Sequence, residues 1–542
     1  MNTPQPSSPR TSEEGFIPKR VKARLGLLSI FVGLLCLSML PSLFYTLIDG
    51  HHDDRLAFMV TIGGGLITSL ITYAFTRSAI EEIEFKQLDG LFLVTLTWLV
   101  AGVFCALPYY LYAHLAPTAP CDPASAQGLV GADFCSFTNS FFESMSGLTT
   151  TGASVITTGL WDSYQGGVGY LADGSLGLPR GIMLWRCVTH LLGGLGIIVL
   201  GVAILPLIGV GGMQLFKAEA PGPKTDKLAP RMRETAKFLW VVYGGLTGLL
   251  IMIFWLTGAM DFFESLCHGM STMATGGFST RSTSVMGFQS PLIEWVITLF
   301  MFLAGASFNL HFFAITQRSL KAYFQNFEFK TYSLLVLGAG ALIATAIYLA
   351  GYAQGVEEAL RVALFQVLAI VTTTGYASAN FELWVAAPFA LMIVVLLMFS
   401  GGCAGSTGGG MKIIRHILLV KVWVREFFYL SNPTGKKSIR SEGQVVSPEI
   451  IRATLSFMGL YMFLMVLGCL AFTLMGHDLS TAFTCSASSI GNVGPGLGEI
   501  GPMDNYAVLT PAGKWVSAFL MLLGRLELYT VLMIFTPSFW RH

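Results

Sequence analysis

Charge is what this sequence has least of. Only 12% of its 542 residues are Asp, Glu, Lys or Arg, about half of the roughly 25% typical of soluble domains. A soluble chain of this length needs charged side chains over most of its surface, so the shortage excludes a cytosolic enzyme, a nucleic-acid binder and a disordered protein. Nine cysteines are too few for a disulfide scaffold. Only Cys121 and Cys135 fall in a polar loop, where they can pair if that loop lies on an oxidising side. No Cys/His spacing suits a metal, no catalytic triad stands out and no nucleotide-binding pattern occurs, so a membrane enzyme has no constellation in its favour. What the chain has in plenty is apolar residues, 53%, and glycine, 60 residues. This describes a polytopic membrane protein in which glycine serves close helix packing or non-helical backbone at membrane depth.

Apolar runs near the required length of about 20 residues occur at 25–48, 57–76, 91–113, 182–210, 239–259, 295–315, 334–352, 386–403, 455–474 and 516–535. The first follows a basic stretch, Lys19 to Arg24, and is read as an uncleaved first helix rather than a secretory signal. Alternating the connections puts 25 of the 32 basic residues on one side, with both termini, and five on the other. That bias makes the first side cytoplasmic.

Four strings of small residues recur between spans, all on the outer side of this topology: Leu148-Thr149-Thr150-Thr151-Gly152, Ala274-Thr275-Gly276-Gly277-Phe278-Ser279-Thr280, Thr372-Thr373-Thr374-Gly375-Tyr376 and Ile490-Gly491-Asn492-Val493-Gly494-Pro495-Gly496. Each follows a stretch that reads as a short amphipathic helix. The plainer explanation, helix packing through small residues, suits one string better than four on one side. The functional explanation is a cation pore. Backbone carbonyls replace an ion's water without a fixed charge, so the ion can also leave. Extended backbone inside a membrane is tolerated when it is buried or lines an aqueous path, glycine permits the necessary angles, and a preceding short helix points its negative end at the ion.

On these motifs the chain resembles the Trk/Ktr/HKT superfamily of cation transporters. Further matches are Leu192-Gly193-Gly194-Leu195-Gly196-Ile197-Ile198-Val199, Gly212-Met213-Gln214-Leu215, Ala220-Pro221-Gly222-Pro223 and Phe535-Thr536-Pro537-Ser538-Phe539-Trp540. The resemblance runs from about residue 20 to the end. It implies an all-α membrane protein with two N-terminal helices and four helix–pore-loop–helix repeats around a pseudo-fourfold pore. The chain would divide into a tail, 1–24, two extra helices, 25–86, and repeats at 87–216, 217–330, 331–440 and 441–542. The filter would use Thr150, Thr151 and Gly152, then Thr275, Gly276 and Gly277, then Thr373, Thr374 and Gly375, and finally Asn492, Val493 and Gly494. The second string has two adjacent glycines, which leaves its register open by one residue. The fourth departs most, with Asn492 and Val493 in place of threonines. Gly152 is similar to the potassium-selective branch, whereas relatives with Ser there admit sodium. A sodium or mixed sodium/potassium transporter is the alternative. A carrier of organic solutes fits less well, since such carriers use inverted repeats and these are parallel.

Residues 401–410 hold six glycines, Gly401, Gly402, Gly405, Gly408, Gly409 and Gly410. At about 1 kcal/mol per glycine they exclude a continuous helix, and the resemblance implies an intramembrane gating loop; a packing kink is the simpler alternative. Arg525 lies in the last apolar run and costs about 2.5 kcal/mol or more there. The family has a pore-facing Arg in its last helix; the alternative is a structural pair, whose partner is not Glu527, two residues away. Arg186, near a helix end, is expected to snorkel. Glu143, Asp261, Glu264, Asp478 and Glu499 cluster about the strings. They would attract cations to the mouth or, at helix starts, complement the dipole. His190 and His268 read as satisfied core residues. The resemblance implies potassium as substrate with no bound cofactor, a homodimer in the bilayer of the bacterial inner membrane, and a TrkA-like cytoplasmic nucleotide-binding ring as regulator.

Overall fold

The computed structural model describes residues 18–48, 54–83, 87–115, 121, 132–157, 178–196, 232–441, 444–537 and 539–541. The tail to residue 17, the second half of the run 182–210, the boundary at 216–217, the motifs at 212–215 and 220–223, and Ser538 lie outside the described residues. Among the described residues six helices are long and apolar enough to cross a membrane, or eight if each of two sharply bent pairs is one span. The protein is a multi-pass membrane protein, and its described residues are helical apart from loops and one pair of two-residue strands.

Helices α1 (Lys19–Ser38) and α2 (Leu40–Ile48) form one long apolar stretch that packs on α3 (Arg55–Glu82). Small residues bring α1 and α3 close: the Ser69 hydroxyl donates to the Ser29 carbonyl at 2.6 Å, and a side chain at Gly33 would meet Ser69.

The chain then runs four times through the same sequence of elements. First come the full span α4 (Gln87–Leu115), the short helix α5 (Phe137–Leu148), a string, and α6 (Arg180–Leu191). Second come α7 (Met232–Leu256), the short α8 (Phe262–Met273), a string, and α9 (Pro291–Gly305) with α10 (Phe308–Thr316). After the linking α11 (Lys321–Gln325) come α12 (Phe327–Leu349), α13 (Val356–Val371), a string, and α14 (Pro388–Leu397). Helix α15 (Ile413–Ser431) and the antiparallel strands β1 (Arg440–Ser441) and β2 (Gln444–Val445) lead to the fourth set. That set is α16 (Pro448–Leu474), α17 (Leu479–Gly491), a string, and α18 (Pro511–Arg525) with α19 (Tyr529–Leu532).

Four of the ten expected spans are the helices after the strings, and each is interrupted. Helix α6 passes into a wider π-turn at Leu192–Gly196. Helices α9 and α10 meet at 93°, and the last helix bends by 110° after Arg525. Helix α14 is only 10 residues long and stops at the glycine-rich segment. Hydropathy averages across such breaks and does not register them.

Helix α5 is buried and polar over most of its length. Residues 140–148 of α5, three serines and Glu143 among them, are all inaccessible, a surface that lipid would not accept. Asp261 and Asp478 cap α8 and α17, accepting from the backbone N–H groups of Glu264, 2.6 Å, and of Ser480, 3.0 Å. Cys121 and Cys135 form a disulfide.

Candidate functional site

Each short helix ends in the same hydrogen-bonded turn. Thr150, Thr275, Thr373 and Asn492 donate their N–H to a carbonyl three residues back, and the next residue donates to one five residues back. This is the Schellman pattern, in which the residue at the turn takes a left-handed conformation and is usually Gly, sometimes Asn. Here φ is +52° at Thr150, +54° at Thr275, +56° at Thr373 and +56° at Asn492. Left-handed threonine is a true outlier and costs on the order of 1–3 kcal/mol per site. Such strain, repeated at the same place in three strings, makes them the candidate site. Two residues on, Gly152, Gly277, Gly375 and Gly494 have φ of +76°, +80°, +76° and +105°.

This geometry aligns the four strings. Thr275 matches Thr150 and Gly277 matches Gly152, which removes the one-residue ambiguity of the second string. Asn492, which looked least secure, takes the same backbone as the threonines and is better suited to it. Its amide donates to Thr151 Oγ1 at 3.1 Å and to the Met521 carbonyl at 2.9 Å.

The strings contact one another in cyclic order. A Cβ on Gly152 would strike the carbonyl oxygen of Gly276, and one on Gly277 that of Thr374. One on Gly375 would strike Val493, and one on Gly494 would strike Thr151. Each glycine therefore lets the middle carbonyl of the next string approach, and the fourth string returns to the first. The four middle residues, Thr151, Gly276, Thr374 and Val493, hold equivalent places. Gly494 differs in one respect: its carbonyl accepts from Ser488 Oγ at 2.8 Å and from the Tyr506 hydroxyl at 2.6 Å.

Charged pairs brace the strings. Arg186 does not snorkel. It is 2% exposed, its Nε donates to Glu143 Oε1 at 2.7 Å, and its guanidinium lies 4.1 Å from the centre of the Phe278 ring. Glu143 also accepts from Ser154 Oγ and, at 3.0 Å, from the Val155 N–H, two and three residues past Gly152. It stands in the middle of α5, not at its start, and is sealed from solvent; it has no access to the mouth. Glu264 pairs with Arg281 at 3.0 Å and Glu499 with His477 at 2.6 Å. A buried Arg at this position had no periodicity or motif to reveal its partner. His268 is satisfied by the Glu264 carbonyl and Ser279, and His190 bonds Ser271 Oγ at 2.8 Å while stacking on Phe278.

The glycine-rich segment lies against the end of the ring at which the strings begin. The Gly409 N–H donates to Thr373 Oγ1 at 2.7 Å, and a Cβ on Gly409 would meet Asn492. Thr407 Oγ1 donates to the Met273 carbonyl at 3.1 Å. Arg525 reaches across: Nη1 donates to the Thr407 carbonyl at 2.8 Å, and Nη2 to the carbonyls of Gly193 and, at 2.8 Å, Gly194. Lys412 Nζ donates to the Gly408 carbonyl at 2.6 Å. Glu527 pairs with Arg415, not with Arg525.

Fold and site together define a membrane protein in which four half-length helices converge on a closed circuit of backbone. A family model described as cation transport protein, TrkH, matches residues 132–541, and the chain belongs to that family. The chain is 38% identical over 525 residues to the Trk system potassium uptake protein TrkH of Halomonas elongata, covering 95% of this chain and 98% of the relative. It is 36% identical to the protein of the same name from Escherichia coli, covering 85% and 88%. The crystal structure of the potassium transporter TrkH from Vibrio parahaemolyticus superposes with a TM-score of 0.80 at 31% identity, over 96% of this chain and 100% of that one.

Proposed function

We propose that this chain takes up potassium across a bacterial inner membrane, through a path on the axis of the four strings. The observation that carries the reading is the cyclic approach of the middle carbonyls of Thr151, Gly276, Thr374 and Val493 to the glycines of neighbouring strings. Four carbonyls at equivalent places supply oxygens without a fixed charge, as a permeating cation requires. The flanking residues Thr150, Gly152, Thr275, Gly277, Thr373, Gly375 and Asn492 complete the filter. Gly494 contributes less, since two hydroxyls already use its carbonyl. The names of the relatives, potassium uptake proteins, support the choice of ion.

The segment Gly401, Gly402, Gly405, Gly408, Gly409 and Gly410 acts as the gate, on the cytoplasmic side indicated by the basic residues. Arg525 fastens it and places a positive charge in the path. Ions run down their electrochemical gradient, with about 2.3 kcal/mol per 100 mV available to each. The third and fourth repeats begin with α12 at Phe327 and α16 at Pro448, rather than at 331, inside α12, and 441, inside β1; the chain forms a homodimer, and a TrkA-like nucleotide-binding ring on the cytoplasmic face regulates it.

Rubidium uptake into proteoliposomes, with sodium as competitor, tests the proposal. Uptake that potassium suppresses and sodium does not supports it. Equal competition by sodium selects the mixed-cation alternative. No uptake, even with the regulatory ring added, overturns it.

A further inference from the structure

The glycine-rich segment is closed at its neck as well as fastened at its tip. The Gly401 N–H bonds the Met411 carbonyl, and the Ile413 N–H reaches the Gly402 carbonyl at 3.2 Å. One side chain from another element joins the two shoulders. Glu328, in the first turn of α12, receives at Oε1 the N–H of Ala404 at 2.8 Å and the N–H of Ile414 at 3.1 Å. Ala404 precedes the tip and Ile414 follows it. Ile414 also stands in the first turn of α15, where backbone N–H groups lack helical partners and a carboxylate is favoured by the dipole.

We propose that Glu328 is a positioning residue for the gate: its carboxylate latches both shoulders of the loop to α12, so that the loop leaves the ring only when this latch opens. The inference rests on the reading of residues 401–410 as a gate. One oxygen serves two donors from strands of chain ten residues apart, so the side chain must reach the gap between them. Length matters more than charge. Asp, one methylene shorter, cannot span the same gap from α12, whereas the amide oxygen of Gln sits where the carboxylate oxygen does.

The test has two readouts. The first is labelling of Cys403, which is 1% exposed and adjacent to Ala404, by a membrane-impermeant maleimide from the cytoplasmic side, followed by mass spectrometry of its peptide. The second is rubidium uptake by the full chain in proteoliposomes without the regulatory ring. Glu328→Ala and Glu328→Asp should raise both, uptake by on the order of tenfold, equivalent to about 1.4 kcal/mol, with Glu328→Gln staying near wild type. Wild-type behaviour of Glu328→Ala in both readouts overturns the latch. So does the reverse order, Glu328→Gln open and Glu328→Asp closed, which would make charge the determinant. If Glu328→Ala fails to fold, the contrast between Gln and Asp decides alone. Labelling does not depend on conduction, so absence of uptake by wild type with the regulatory ring added and by every Glu328 variant would refute the transport reading while the labelling pattern still judged the latch.

Discussion

Substituting Gly152 by Ala combines two perturbations that the structure separates. The first is backbone strain. At φ +76° an L-residue with a Cβ costs about 1–2 kcal/mol. The second is steric. The new Cβ would lie against the Gly276 carbonyl oxygen, with the carbonyl carbon at 3.2 Å and the Gly277 carbon at 3.4 Å, so it is the oxygen that must retreat. Backbone cannot swing aside as the end of a side chain does. Gly351 isolates the first term. It has φ +78° and nothing within 4 Å of its added Cβ. Gly351→Ala should therefore lower melting in detergent by the strain alone and leave the ratio of rubidium to sodium uptake unchanged. Gly152→Ala, Gly277→Ala and Gly375→Ala should reduce rubidium uptake by at least tenfold, about 1.4 kcal/mol, and narrow the preference over sodium. Gly494→Ala should be the mildest of the ring variants, because the Thr151 oxygen is 2.6 Å away, farther than its counterparts, and Gly494's own carbonyl is already committed. Proteoliposome flux with both ions, beside a melting curve, reads all five. If Gly152→Ala and Gly351→Ala behave alike, the carbonyl circuit is not the selective element and the reasoning fails.

Removing Arg186 leaves Glu143 charged and buried, which costs about 3–5 kcal/mol. Arg186→Ala should melt far below wild type, and Arg186→Ala with Glu143→Gln should recover part of the loss. Arg525→Ala frees the Thr407 carbonyl, and a hydrogen bond to a charged group is worth about 1.5–3 kcal/mol. Uptake without the regulatory ring should rise tenfold or more (about 1.4 kcal/mol per decade). Arg525→Lys should rise less, since an ammonium keeps the positive charge and loses only the planar fork that reaches Thr407 and Gly194. Hydrogen bonds from Ser480 and Thr481 hold the Asp478 carboxyl down to about 2. A depressed carboxylate stabilises above its ordinary range near 3.9 and loses that contribution as pH falls toward 2. Asp478→Ala should therefore cost about 1 kcal/mol at neutral pH, with the difference from wild type shrinking between pH about 4 and about 2 in an acid-unfolding series.

Much of this architecture was legible from residue types alone. The four strings declare themselves because glycine and threonine are conspicuous amid apolar runs, and because they recur in the same place. Their strain was not legible. Threonine is a poor choice for a left-handed position, so nothing in Thr150 or Thr373 announces one, whereas Asn492, which appeared to break the pattern, keeps the backbone that the pattern requires. The interruptions at Leu192–Gly196, at Gly305 and after Arg525 were hidden for a different reason: hydropathy is set by side chains and these breaks belong to the backbone. At 401–410, where six glycines crowd together, composition does reveal one. The pairs Arg186 with Glu143 and Glu328 with Ala404 and Ile414 join residues distant in sequence. A lone charge signals that a partner exists, and only the fold says which.

On the proposed path a cation sits among the carbonyls of the four strings. Anomalous diffraction from crystals grown in rubidium tests it most directly. Peaks are expected on the axis bounded by residues 150–152, 275–277, 373–375 and 492–494, weakened by potassium and not by sodium. Rubidium bound elsewhere in the membrane region, with no peak inside this circuit, would contradict it.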